Sequence, residues 1–230
     1  KYLINYREYF LIKNFLYNFL RKDHFSLDKP YKVKSLYFDN FQANSFYEKI
    51  SGEYFRFKLR ARYYNENYNS IKIELKKKEN MSTKKSAYNI RMEDLNEIIN
   101  SQNLNYKNIS KINHNIKNYI LLYKLKPQML ISYNREAYID KFSDTRITFD
   151  TDLKSSYQTR KFFDNNIDHY VPLLTNNEVV LELKFKKELP IHIKSFFEKF
   201  NLNRMALSKY VIGYKYFNSG MSENITYCSF

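Results

Sequence analysis

The stretch from residue 54 to residue 64, YFRFKLRARYY, constrains the fold of this chain more than any other feature. Read with the two-residue period of a β-strand, its even positions from 56 to 62 hold only cations and its odd positions are nearly all apolar. Solvent-facing strands usually mix charge signs, because like charges that stand side by side repel each other. A basic edge strand that resists aggregation would give the same pattern, so this stretch alone leaves both interpretations open. The cations are Arg56, Lys58, Arg60 and Arg62.

A second alternating strand follows at residues 71–78, IKIELKKK. The connecting residues, YNENYNS, have the composition of a turn, so the two strands are predicted to form an antiparallel hairpin. Their charged faces then align into one basic surface that contains a single carboxylate. The charged positions of the second strand are Lys72, Glu74, Lys76 and Lys78.

Later strands are predicted at residues 128–140, 146–150 and 179–187. Each of them carries an Arg, Lys or Glu at alternate positions, which lie on one face of the strand. Helices are predicted at residues 6–21, 41–50, 92–100, 112–125 and 190–200, and a closing helix or turn at residues 208–216. The apolar stripe of the first helix is predicted to consist of Phe10, Leu11, Phe15, Tyr17 and Leu20. The predicted fold class is α+β, an antiparallel β-barrel tunnel of about eight strands with flanking helices.

Cations that point into a tunnel require an occupant. A lumen with many cations and few acids cannot remain dry, because an unpaired buried charge costs several kcal/mol. The formal net charge of +15 over 230 residues also predicts a polyanionic partner, which is a nucleic acid, an anionic lipid or a phosphate compound. A nucleic-acid binder would more naturally carry its cations on a helix face or between exposed aromatic residues, so no nucleic acid is expected.

The remaining composition bears on domain organisation and compartment. With only 3 Gly and 4 Pro the chain shows no flexible linker, which favours one domain. The single cysteine, Cys228, excludes an internal disulfide and suits a reducing compartment. No apolar run approaches the roughly 20 residues that a membrane span needs. We therefore expect a cytoplasmic localisation, and association with a membrane only through segments outside this chain.

A series of motifs, taken in order, resembles the VTC (vacuolar transporter chaperone) domain, the polyphosphate polymerase branch of the triphosphate tunnel metalloenzymes. The resemblance covers nearly the whole chain. It implies a tunnel of antiparallel strands that transfers the γ-phosphate of ATP to a growing inorganic polyphosphate chain with a divalent metal, Mn²⁺ or Mg²⁺. The matching motifs are KY at 1–2, SLYFD at 35–39, KLRARYY at 58–64, IELKKK at 73–78, SYNREAY at 132–138, RITFD at 146–150, LELK at 181–184 and SKY at 208–210.

The resemblance also implies roles for particular residues. Glu182 corresponds to the metal carboxylate. The tunnel domain is expected to span residues 1–217, followed by a loosely ordered tail at 218–230. The expected catalytic residues are Arg60, Arg62, Lys76, Arg135, Arg146 and Lys209. The expected substrate-binding residues are Lys1, Lys58, Lys78, Tyr133, Lys184, Arg204 and Ser208.

Several alternatives stay open at this stage. Without the resemblance, the residues alone favour Glu182 as the ion-pair partner of a neighbouring Arg or Lys over a metal ligand. Glu74 is expected to pair with tunnel lysines. Ala206 stands where the family pattern often has a lysine, which leaves a non-catalytic polyphosphate or nucleotide sensor as one alternative. A triphosphatase is the other, because water can replace the phosphate chain as acceptor. The four histidines lack metal-binding spacing, so no histidine metal site is expected.

Overall fold

The computed structural model describes residues 1–101, 109, 111–140, 142–165, 170–175 and 177–218. These residues form ten strands and six α-helices. The strands are β1 (Tyr2–Asn5), β2 (Arg21–Lys22), β3 (Tyr31–Asp39), β4 (Phe55–Tyr64), β5 (Ile71–Glu79), β6 (Ser82–Ile90), β7 (Lys126–Ile139), β8 (Arg146–Ser156), β9 (Val171–Pro172) and β10 (Glu178–Lys184). The helices are α1 (Tyr6–Phe19), α2 (Asn44–Ile50), α3 (Met92–Asn100), α4 (His114–Leu122), α5 (Ile191–Phe197) and α6 (Lys209–Asn218).

The strands form one antiparallel sheet in the order β1-β10-β8-β7-β3-β4-β5-β6, with β2 paired to β7 and β9 paired to β8. The sheet is not strictly closed, because β1 and β6 are the two ends of this order. The predicted hairpin is confirmed: β4 and β5 pair in antiparallel register, with Lys58 opposite Lys76 and Arg60 opposite Glu74. The predicted fold class, an α+β tunnel fold, is confirmed.

Helices cover the outside of the sheet and thereby direct the charged faces inward. The apolar face of β4, with Leu59 and Ala61, lies in one buried cluster with Leu95 of α3 and Ile116 of α4. In the same way, apolar residues of β8 and β10 pack in a cluster with those of α1 and α5. Because the two faces of a strand alternate, burying the apolar face under helices turns the cationic face toward the interior of the curved sheet.

The predicted apolar stripe of the first helix is partly wrong. Helix α1 begins after Asn5, which forms a reciprocal capping box with Glu8. From that start, the residues that the helix buries are Tyr9, Ile12 and Leu16, at the three- and four-residue spacing of one helix face. The predicted stripe members Phe10, Leu11 and Tyr17 are 55%, 50% and 71% exposed, because they lie off that face.

The C-terminal part of the chain ends in α6. The predicted tail, residues 218–230, lies outside the described residues except for Asn218, the last residue of α6. Within the described part of the chain, no helix has the length and apolar character to cross a membrane. A lysine and a serine at the start of α6 bring this helix to the site described next.

Candidate active site

The sheet encloses a cavity of about 1470 Å³. Among the described residues, its lining includes fifteen Lys and Arg side chains against three carboxylates. The lining runs along β4 from Arg56 to Tyr64, eight steps of about 3.3 Å, so the cavity extends for roughly 26 Å. All fourteen site residues expected from the sequence lie on this one lining: Lys1, Lys58, Arg60, Arg62, Lys76, Lys78, Tyr133, Arg135, Arg146, Glu182, Lys184, Arg204, Ser208 and Lys209.

The most tightly organised part of the site is a cluster of Arg135, Asp150, Lys209 and Tyr133. The Arg135 guanidinium donates from Nε to Asp150 Oδ1 at 2.6 Å and from Nη2 to Oδ2 at 2.8 Å, and Lys209 Nζ donates to Oδ2 at 2.6 Å. The Tyr133 ring lies 5.2 Å from the guanidinium carbon of Arg135 and 4.6 Å from Lys209 Nζ. Burial alone would raise the pKa of Asp150, but Lys209 and Arg135 outweigh it and hold the carboxylate ionised.

Arg146 is also paired with an acid. Its Nη2 donates to Asp23 Oδ2 at 2.6 Å and to the Tyr31 hydroxyl at 3.2 Å. Asp23 lies between β2 and the short 3₁₀ turn His24–Ser26, far from Arg146 in the sequence. This pair is more open than the Arg135 pair, since the Arg146 side chain is 39% exposed and that of Arg135 is 11% exposed.

Glu74 holds two cations. It accepts from Arg60 Nε at 2.6 Å and from Lys85 of β6 at 2.5 Å. Because Lys85 lines the cavity, the prediction that Glu74 pairs with tunnel lysines is confirmed for Lys85, and Arg60 is a further partner. Burial would raise the pKa of Glu74, but Arg60 and Arg62 outweigh it and lower the pKa to about 2. Arg60 Nη1 also donates to the Tyr37 hydroxyl at 3.3 Å.

Tyr37 is a buried residue of β3 that faces the same cavity. Burial would raise its pKa, but Arg60 and Arg62 outweigh this effect and lower the pKa of Tyr37 to about 8. Its ring stacks on that of Tyr210, the second residue of α6, with 5.4 Å between the ring centroids. Tyr37 therefore stands in an environment that favours negative charge.

A second group of cations contacts only neutral partners. Arg62 donates from Nε to Ser35 Oγ at 3.1 Å, and Lys58 Nζ donates to Ser208 Oγ at 2.9 Å. Lys1 Nζ donates to a backbone carbonyl oxygen, that of residue 207, at 3.1 Å. None of these three, nor Lys76, has an ion pair with a carboxylate of the described residues.

The lysines of this second group are shifted toward their neutral forms. Burial lowers the pKa of Lys58 to about 8, and loss of solvation lowers the pKa of Lys1 and of Lys76 as well. Neighbouring cations add to the shift: Lys209 acts on Lys1, and Lys1 acts on Lys76. An entering polyanion would reverse these shifts, because opposite charge favours the protonated amine.

Glu182 is the carboxylate expected to hold a metal. Its nearest described cation is Lys184, at 3.7 Å on the same strand. Burial would raise the pKa of Glu182, but Lys1, Lys184 and Arg135 outweigh it and lower the pKa. An ionised carboxylate beside a phosphate-binding lining fits a hard divalent cation, since Mg²⁺ is commonly bound through one or two carboxylates together with substrate phosphates.

The rest of the donor set fits only a metal that arrives with its phosphates. Within the described ranges, no group of three or more His, Cys, Asp or Glu residues is arranged to hold a metal ion. The other two carboxylates of the lining, Asp23 and Glu74, are bound to arginines. Glu182 would therefore be the protein ligand, and phosphate oxygens and water would complete the shell.

The remaining predicted residues lie near the ends of the lining. Lys78 is opposite Arg56 in the β4–β5 register, and the strongly exposed Lys184 ends β10. Arg204 forms an isolated bridge with Tyr2 beside β1. Ala206, where the family pattern often has a lysine, also lines the cavity, so the missing cation would have faced the site.

Several residues of this arrangement were not selected from the sequence, among them Tyr37, Lys85, Asp23 and Asp150. Asp150 carried a usable signal, because it shares its face with Arg146 in the RITFD strand. Tyr37 lies in the SLYFD motif, but its position in the alternation of strand faces does not distinguish a cavity tyrosine from a core tyrosine. Asp23 and Lys85 carried no signal, since each meets its partner only through the folded sheet.

A curved antiparallel sheet with an apolar exterior under helices and a cationic interior defines the class of triphosphate tunnel folds. Among solved structures, the chain is similar to HpAC1 of Hippeastrum, a candidate adenylyl cyclase described as having a dominant triphosphatase activity, with a TM-score of 0.56 and 14% identity over 99% of this chain and 97% of that chain. It also matches a candidate adenylate cyclase of Bacillus halodurans, with a TM-score of 0.45 and 13% identity over 82% of this chain and 80% of that chain. At this identity the likeness to HpAC1 establishes the fold alone.

The family is established by a different comparison. The family model of the VTC domain matches residues 1–218, which is nearly the whole chain, so this protein belongs to the VTC domain family. No curated protein matches the chain. Family membership and the tunnel fold together support an enzymatic, triphosphate-related function that involves a divalent metal.

Proposed function

We propose that this protein is a metal-dependent polyphosphate polymerase, which transfers the γ-phosphate of ATP to a growing inorganic polyphosphate chain. The observation that carries the proposal is the lining of the cavity, with fifteen cations and three carboxylates among the described residues. Its volume of about 1470 Å³ exceeds the range of about 300–1,000 Å³ that is usual for a single small ligand. That size leaves room for a nucleoside triphosphate and for part of a second phosphate chain.

The chemistry asks little covalent work of the protein. A terminal oxygen of the acceptor chain forms a bond to the γ-phosphorus of ATP, the bond between that phosphorus and the bridging oxygen breaks, and ADP leaves. Arg60, Arg62 and Arg135 would align the phosphates and stabilise the charge on the equatorial oxygens through fixed N–H donors. Lys76 and Lys209 would add positive charge along the same path.

Glu182 would hold a divalent metal, Mn²⁺ or Mg²⁺, whose positive charge would neutralise part of the charge of the triphosphate. Lys1 and Lys184 hold Glu182 in its ionised form before any metal arrives. A role in binding alone would gain nothing from an acid placed among phosphates, so Glu182 favours an enzyme over a passive binder.

The choice of acceptor separates polymerase from hydrolase. The end of a phosphate chain already carries an anionic oxygen, whereas a water molecule must lose a proton during attack. Two of the three carboxylates that line the described cavity, Asp23 and Glu74, are bound to arginines and are poorly placed as bases. The scarcity of free bases supports the phosphate acceptor.

A triphosphatase is the second candidate, favoured by the fold that this chain shares with HpAC1, for which a dominant triphosphatase activity is described. A non-catalytic sensor is the third, favoured by Ala206 in place of a lysine. We further propose ATP and inorganic polyphosphate as partners, no role for nucleic acid, and a cytoplasmic location.

The test is incubation of the protein with ATP, Mn²⁺ and a short inorganic phosphate primer, with polymers resolved on a gel and free phosphate measured in parallel. We expect long phosphate polymers and ADP. Free phosphate in step with ADP and no polymer would identify a hydrolase. Binding of inorganic triphosphate without any ADP would identify a sensor.

Variants make this test specific. Arg60→Ala should reduce ADP formation by about 10²–10³-fold, because one fixed charged donor to the transferred phosphate is lost. Glu182→Gln should abolish the Mn²⁺-dependent activity yet retain binding of phosphate chains, measured with inorganic triphosphate. Lys84→Met is the matched control, since Lys84 is an exposed lysine of β6 that does not line the cavity.

A further inference from the structure

We infer that Asp150 is a positioning residue that fixes Arg135 and Lys209 as one rigid phosphate clamp. The inference rests on the proposed function. Asp150 is 0% exposed and does not itself line the cavity, whereas both of its cationic partners do. It therefore cannot touch a phosphate chain, and any effect on the reaction must pass through those partners.

The hydrogen bonds fix the orientation of both cations. Arg135 uses Nε and Nη2 toward the carboxylate, which sets the plane of its guanidinium and leaves Nη1 for a ligand in the cavity. Lys209 gives one of its three N–H donors to the same carboxylate and keeps two. Tyr133 lies against both cations, so neither can swing away without losing a ring contact.

The charge of Asp150 is as important as its shape. Arg135 and Lys209 would repel each other if they shared this buried space without an acid, and each would turn toward solvent. One carboxylate between two cations leaves a net charge of +1, so the pair stays attractive for phosphate while remaining ordered. Groups that are ordered before the substrate arrives need no rearrangement during phosphoryl transfer.

Three elements meet at this carboxylate: Arg135 comes from β7, Asp150 from β8 and Lys209 from the first turn of α6. The contact therefore also fixes the start of α6, where Ser208 Oγ accepts from Lys58 Nζ. A purely structural anchor for α6 would give the same contacts. The experiment must therefore separate lost positioning from lost folding.

The first measurement is the kinetics of Asp150→Asn, which keeps the shape of the side chain and removes its charge. We expect kcat to fall by about 10²-fold while KM for ATP stays equal or decreases, because the site loses order but gains net positive charge. A merely structural defect would lower the binding-competent fraction in titrations with inorganic triphosphate by the same factor as kcat. Asp150→Glu keeps the carboxylate charge on a side chain that is one methylene longer. This variant should therefore retain part of the kcat that Asp150→Asn loses.

The second measurement is a double-mutant cycle of Asp150→Asn with Lys209→Met, read as the affinity for inorganic triphosphate. We expect Lys209→Met to weaken binding about tenfold with Asp150 present and less than about threefold in the Asp150→Asn background, since Lys209 is then no longer held in place. Additive effects would overturn the inference. This cycle needs no turnover, so it remains readable if the polymerase proposal fails.

The matched control is Asp152→Asn on the same strand. Asp152 pairs with Lys154 at 2.8 Å, and both side chains are well exposed, at 51% and 40%. Its backbone is left-handed, with φ of 52°, a conformation that asparagine adopts readily. We expect this variant to match the unchanged protein in kcat, KM and triphosphate affinity; a loss equal to that of Asp150→Asn would overturn the assignment to Asp150.

Discussion

Two walls of the cavity carry the same kind of charge but hold it differently. On the wall formed by β7, β8 and α6, which we call the paired wall, Arg135 and Lys209 share Asp150, and Arg146 binds Asp23. On the wall formed by β4 and β5, which we call the unpaired wall, Arg60 is the one inward cation with an ion pair among the described residues, and its partner is Glu74. The other cations that line that wall, Lys58, Arg62 and Lys76 among them, have no ion pair with a described carboxylate.

The difference separates two ways of preparing a site for a polyanion. Paired cations are ordered before the ligand arrives, and removal of one leaves a buried acid without its partner. Unpaired cations repel one another in the empty protein and gain most when the ligand neutralises them. The first wall therefore contributes to stability as well as to function, while the second wall sacrifices stability for affinity.

The largest expected effect is that of Arg135→Ala on the paired wall. We expect turnover to fall by about 10³-fold and the free energy of unfolding to fall by about 3 kcal/mol, because Asp150 loses two charge-assisted hydrogen bonds in a buried site. ADP release and denaturant unfolding measure the two effects. An unchanged unfolding free energy would remove the distinction between the walls.

Lys76→Met on the unpaired wall should behave in the opposite way toward stability. We expect the affinity for inorganic triphosphate to fall by about tenfold, since one unpaired cation is lost. The thermal midpoint should stay equal or rise, because repulsion from Lys1 and Arg60 is relieved. Calorimetric titration measures the affinity and thermal unfolding measures the midpoint, with Lys84→Met as the control. A lowered midpoint would contradict the expected difference in stability between the two walls.

The unpaired wall should also give the site its pH dependence. Lys58 and Tyr37 both have a pKa of about 8, so above pH 8 the lysine loses its positive charge and the tyrosine gains a negative one. Bound phosphate favours the protonated form of both, so binding at high pH must take up protons. We expect triphosphate affinity to fall as the pH rises through about 8.

Two variants test that assignment. Lys58→Arg keeps the charge at high pH, and Tyr37→Phe removes the phenol that ionises. Each alone should flatten the fall in affinity, and the two together should flatten it most in titrations between pH 6.5 and 9.5, while the lowered pKa values of Lys1 and Lys76 leave a smaller fall. A fall as steep in the double variant as in the unchanged protein would place the titrating groups elsewhere.

The smallest expected effect is that of Ala206→Lys. Ala206 lines the cavity, so a lysine there adds one more cation without a designed partner. We expect triphosphate affinity to rise by about threefold, because the new lysine attracts the phosphates. The thermal midpoint should fall slightly, because the other unpaired cations repel the new charge. Weaker binding would indicate that the lysine of the family pattern needs a partner that this chain lacks.

Much of the fold was readable because strand patterns are local. The hairpin of β4 and β5 was predicted from alternation and turn composition, and its register places Lys58 opposite Lys76. The apolar stripe of α1 was misjudged, because the capping box at Asn5 and the position of the sheet decide which face is buried. Phe10 and Tyr17 are consequently exposed although their residue types favour burial.

Alternation in the sequence was enough to show that β4 and β5 each have a charged, mainly cationic face and an apolar face, and therefore to predict a sheet that curves around a charged interior with flanking helices. Only the tertiary structure decided how that charge is held. An ion pair depends on distances between side chains from remote segments, and neither the period of a strand nor its composition encodes whether Asp150 reaches Lys209 or Asp23 reaches Arg146.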